Sequence, residues 1–155
     1  MKRYIALLRE INISGKNKIP MSELKEGVAE LGFADKIKSM IKDRFDLDIP
    51  VFIILQAELK EVLDNAPTWW GDDNKEIYDN LIFIMSPLSC EDVCDEIRNP
   101  KDEYEKVHSY KGAIFWSFVR KDYRKTNWWA RTASSGVSDR ITIRTANTVR
   151  KIVDK

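Results

Sequence analysis

The chain has 155 residues, 43% hydrophobic and 33% charged, with a formal net charge of +1. It is long enough to bury one substantial core or two small fused ones without a metal or disulfide. No run approaches the roughly eighteen apolar residues of a membrane helix, and Met1-Lys2-Arg3-Tyr4-Ile5 leads into a strand pattern rather than a signal sequence, so a cytoplasmic protein with no membrane partner is expected.

Arg3 to Leu8 is a nearly continuous apolar run, the pattern of a strand buried on both faces. Residues 10–24 then read EINISGKNKIPMSEL, a turn entering a helix through Pro20. A phosphate-cradling loop needs G-x-x-x-x-G-K-[ST]. With Gly15-Lys16 as its GK, the first glycine is replaced by Glu10 and the closing hydroxyl by Asn17, so the stretch is not that loop. Gly15, Lys16 and Lys18 still precede a helix start, which leaves either a structural turn or an anion site.

Met21, Leu24, Val28 and Leu31 continue that helix on one face until Gly32, and Ile37, Met40, Ile41 and Phe45 draw a second helical stripe. Val51 to Leu55 is a strand, Ala57 to Leu63 a helix, and the turn-rich stretch around Trp69, Trp70 and Gly71 reads as a connection with exposed rings. Subdomains at 1–66 and 80–155, joined by 67–79, are therefore expected.

In the second half, Leu81 to Met85 is a strand, and Ser89 with Asp92 signals the capped start of a helix carrying Cys90, Val93, Cys94 and Ile97 inward. One helical turn separates the cysteines, which suits reduced thiols better than a disulfide. Tyr104 to Tyr110 and Ala113 to Val119 flank Lys111-Gly112 as a hairpin, a short helix runs through Trp128-Trp129 to Gly136, Ile141 to Ile143 is a strand, and Ala146 to Val153 closes as a helix. Strand, helix, hairpin, helix, strand is a ferredoxin-like order.

The stretch YIALLREINISGKNKIPMSELKEGVAELGF resembles the opening of the bacterial family called domain of unknown function 1697, and TIRTANTVRKI resembles its ending. At the ending, Thr145-Ala146 stands where the family more often has Asn-Trp. The resemblance implies an α+β fold of two fused ferredoxin-like subdomains and no established activity. In the family a hairpin follows the first helix, whereas Phe33 here runs almost directly into Ala34-Asp35-Lys36-Ile37, so the first subdomain is expected to lack its central hairpin. The exposed edge of the first strand then calls for cover from the second half, from a second copy in a homodimer, or from a segment outside this sequence.

Two cysteines and the single His108 fall short of a zinc set, and no catalytic residue, metal ligand or cofactor is singled out. The charges are unevenly spread: residues 106–155 hold twelve Lys or Arg against three Asp, and the remainder fourteen against twenty-two acidic residues. Such a split points to an anionic partner or to two complementary halves. Arg120, Lys121, Arg124, Lys125, Arg131 and Arg140, interleaved with Phe115, Trp116, Phe118, Trp128 and Trp129, are candidates for contacting nucleic acid, the alternative being core rings beneath solvated charges. Arg144 and Asn147, at a second strand-to-helix junction, join Gly15, Lys16 and Lys18 as candidates for a phosphorylated or other anionic ligand. Three readings stand: a binding module, an enzyme acting on a small anion between the halves, and an assembly protein.

Overall fold

The computed structural model describes residues 3–8, 34–47, 50–85, 87–134 and 136–154. The predicted helix from Pro20 to Leu31 lies outside them, as do Gly15, Lys16 and Lys18. Helices and antiparallel strands are mixed along the chain, an α+β fold that divides into two compact units, Met1–Gln56 and Ala57–Lys155. The helix predicted over 57–63 thus belongs to the second unit.

In the first unit, β1 (Tyr4–Leu8) pairs antiparallel with β2 (Val51–Leu55), from Tyr4 opposite Leu55 to Leu8 opposite Val51. That register puts Ala6, Leu8, Val51 and Ile53 on one face, where they pack against the buried Ile37 and Ile41 of α1 (Ala34–Phe45). The apolar run of β1 predicted burial on both faces, yet its first residue, Tyr4, is 53% exposed.

All of α2 (Gln56–Asp64) but its first residue belongs to the second unit, which contains a four-stranded antiparallel sheet in the order β4-β5-β3-β6, with β3 Ile77–Ile84, β4 Glu105–Tyr110, β5 Ala113–Val119 and β6 Ile141–Thr145. Strand alternation sends Ile82, Ile84, Ile114, Trp116, Phe118 and Ile141 to one core, closed by Val93 and Ile97 of α3 (Cys90–Ile97) and Trp128 of α4 (Trp128–Ser134). Leu81, Phe83 and Phe115 are buried as well, although they point to the opposite face. Trp70 meets Phe115 edge-on at 5.0 Å and donates its Nε1–H to the Asn80 carbonyl at 2.8 Å. This corrects the exposed Trp69-Trp70 loop expected from sequence: Trp70 is core, with its polar edge satisfied. The final helix, α5 (Ala146–Val153), buries Ala146, Val149 and Val153.

The start of α3 follows its sequence signal, with the Ser89 side chain accepting from Asp92 N–H and the Asp92 carboxylate from Ser89 N–H. Its end is unusual. Arg98 adopts φ 75° and ψ −171°, a conformation that side chains other than glycine tolerate poorly. It is held there by three hydrogen bonds from two side chains: Trp128 Nε1 to the Arg98 carbonyl at 3.0 Å, and Asn127 Nδ2 to the carbonyls of Ile97 and Asn99 at 3.0 and 2.9 Å. We predict that Arg98→Gly stabilises the protein by about 1 kcal/mol, because relief of backbone strain outweighs the flexibility gained by the unfolded chain. Urea unfolding measures this, and a lowered midpoint would contradict it.

Candidate functional site

The sheet leaves one corner unfilled. β3 has eight residues and β6 five, and β6 pairs with β3 only from Ile84 back to Asn80 before Thr145 turns the chain into α5. Beside the uncovered Ile77–Asp79 edge lies a cleft of about 380 Å³, within the range of small-molecule sites. Its walls come from the 72–75 loop, the start of β3, Arg120 after β5, and Thr145, Ala146, Asn147 and Arg150 at the start of α5.

Local chemistry explains why each group stands where it does. Thr145 caps α5 by accepting from Thr148 N–H, so the helix begins at the cleft with Asn147 exposed in its first turn. One turn on, Arg150 donates Nη2–H to the Gly71 carbonyl and stands over the Trp70 ring at 5.8 Å. Gly71 permits this approach: its φ is +84°, and a Cβ there would run into the Arg150 guanidinium. Arg120 lies over the Tyr78 ring at 4.6 Å, and its backbone N–H reaches the Glu76 carbonyl at 2.9 Å. On the cleft wall Asp79 is buried and accepts from Ser117 Oγ, the residue directly opposite it on β5.

Of the residues singled out from sequence, the cleft gathers Arg120 and Asn147. Arg144 is half-buried on β6, where Nη1 donates to Thr142 Oγ1 at 2.7 Å and to the Ile143 carbonyl at 2.9 Å, and burial depresses its pKa. Lys121, Arg131 and Arg140 are exposed and do not line the cleft. Arg124 donates Nε–H to the Tyr123 hydroxyl at 2.8 Å, and Lys125 pairs with Asp122 at 3.0 Å. Nearly all the neighbouring rings lie inward. Phe115, Trp116, Phe118 and Trp128 are buried, whereas Trp129, 44% exposed, meets Phe118 and Tyr123 edge-on. Sequence reasoning passed over Lys75, and also Asp79 and Arg150, whose place depends on partners far along the chain, Ser117 and Gly71.

Other reactive groups are quiet. Cys90 and Cys94 are free thiols packed half-buried against the core. Burial first, and Cys94 beside it second, push the Cys90 thiol up to about 11, and its Sγ–H donates to the Lys111 carbonyl at 2.9 Å. That is the reverse of an activated nucleophile. His108 sits exposed on β4, stacked on Phe115 at 6.4 Å. Among the described residues no cluster of three or more His, Cys, Asp or Glu is arranged to hold a metal, and no helix is long and apolar enough to cross a membrane.

A solved structure of a conserved bacterial protein from Streptococcus pneumoniae is similar to this chain with a TM-score of 0.83, covering 99% of this chain and 97% of that one at 24% identity. At that identity the likeness concerns the fold alone. No curated protein matches. The model of a family described as proteins of unknown function, DUF1697, matches residues 1–36 and 33–115. The chain belongs to that family.

Proposed function

We propose that the chain is a small binding module whose second unit holds a phosphorylated or similarly anionic ligand in the cleft beside Ile77–Asp79. The observation that carries this reading is the convergence there of Lys75, Arg120 and Arg150 with the first turn of α5. Backbone N–H groups at a helix start, reinforced by guanidinium groups, favour an anion. A nucleic-acid face built on Lys121, Arg124, Lys125, Arg131 and Arg140 is less favoured, because stacking needs exposed rings and most of those nearby are core.

The β4-β5-β3-β6 order, antiparallel throughout, supports a ferredoxin-like second unit. The two family matches meet at residues 33–36, where the family hairpin would enter, and this supports a first subdomain without it. The enzyme reading, which paired Lys16 with Asn147, draws on a residue outside the described part of the chain.

Titration with ethyl phosphate, followed by amide NMR, tests the binding site. The Ala146 and Asn147 signals should move, with an affinity that falls as salt is added. Arg120→Ala should weaken binding about tenfold, the loss expected for one charge-assisted hydrogen bond. Unchanged amide signals at millimolar ligand would refute the reading.

A further inference from the structure

The cleft carries both signs of charge. Asp72, Asp73 and Asp79 line it together with Lys75, Arg120 and Arg150, and among the described residues no ion pair within 4.0 Å joins any of the six to another. The guanidinium groups are held by neutral partners instead, Arg150 by the Gly71 carbonyl and the Trp70 ring, Arg120 by the Tyr78 ring.

Asp79 is the telling member, only 8% exposed. A buried carboxylate is normally matched by a cation or by several donors. Asp79 has one such donor, Ser117 Oγ–H to Oδ1, and its Oδ2 has no hydrogen-bond partner among the described residues. A simple anion entering this cleft would meet the favourable cations and a buried like charge together. A ligand with a positive group resolves the conflict, because one end faces the guanidinium groups and the other supplies the partner Asp79 lacks.

We infer that the cleft is built for a zwitterion, a ligand that sets a protonated amine on Asp79 while its anionic group faces Arg120, Arg150 and the start of α5. The anionic end of this assignment rests on the function proposed above. The amine end rests on Asp79 alone, so the two can fail separately.

Isothermal titration with two probes makes that separation: O-phosphoethanolamine, which has the amine, and ethyl phosphate, a phosphomonoester of similar size without it. The wild-type protein should prefer O-phosphoethanolamine by about tenfold, the value of one charge-assisted hydrogen bond. Asp79→Asn should remove that preference and leave the affinity for ethyl phosphate equal or higher, since a like charge is gone. Equal wild-type affinities would overturn the amine assignment and spare the anionic reading, as would a preference that survives in Asp79→Asn. Binding of neither probe would overturn both. The wild-type comparison needs no variant, so it decides the matter even if Asp79→Asn does not fold.

Discussion

Replacing Glu105 by glutamine should destabilise the second unit by about 3 kcal/mol, although the two side chains have nearly the same shape. Glu105 is 2% exposed at the first position of β4. Its Oε1 accepts from Trp116 Nε1 at 3.1 Å and Trp128 N–H at 3.2 Å; its Oε2 accepts from Lys101 N–H at 3.0 Å and from Asn127 N–H. All four partners are donors. An amide keeps one acceptor oxygen and turns an NH₂ group toward the other two donors, leaving either the buried Trp116 and Trp128 N–H groups or the part-buried Lys101 and Asn127 N–H groups unsatisfied, at about 1–3 kcal/mol each. Relief from burying a charge offsets part of that loss, since an isolated buried carboxylate is itself costly. Urea unfolding with an unchanged slope reads the difference, and a loss below about 1 kcal/mol would show that the four bonds do not act as described.

Trp128→Ala should cost about 4 kcal/mol, the range for deleting a large buried ring whose neighbours cannot close the void. Trp128 is among the largest fully buried side chains, 6.4 Å from Trp116 between ring centres, and its Nε1 bond supports the strained Arg98 carbonyl. Trp128→Phe separates the two contributions, keeping most of the apolar filling while removing the donor, and should cost about 1–2 kcal/mol. Equal losses for the two variants would mean that the hydrogen bond, rather than the packing, dominates.

The parts of this fold that were legible in the sequence depend on neighbours along the chain. Ser89 and Asp92 announce a helix start because their bonds close within three residues, and Lys111-Gly112 announces a hairpin because its strands adjoin it. Where the partner is distant, the sequence gives little sign. β3 begins at Ile77 rather than Leu81; the stretch Ile77-Tyr78-Asp79-Asn80 looks like a polar boundary until Ser117 faces Asp79 and Trp116 faces Asn80. Trp70 sits among Pro67, Gly71 and two aspartates, which read as a loop, and its burial depends on Phe115. The 3₁₀ turns over Arg120–Lys125, kinked at Asp122, have no apolar stripe to betray them.

The candidate site was half legible for the same reason. Arg120 and Asn147 stood out through local charge and a strand-to-helix junction. Arg150 meets a carbonyl 79 residues earlier, a range at which periodicity says nothing. Glu105 is one of 25 acidic residues, and only its partners at 101, 116, 127 and 128 distinguish it.

Helix α4 is seven residues long, shorter than any segment expected to hold helical shape by itself in water. The amide groups at its entrance, on Asn127 and Trp128, are received by a carboxylate that arrives from the sheet, and the next, on Trp129, by the Thr126 hydroxyl. Its helical shape is therefore conditional on Glu105 being in place at the start of β4. The segment behaves as an extension of the strand assembly, and it should open only when that assembly does.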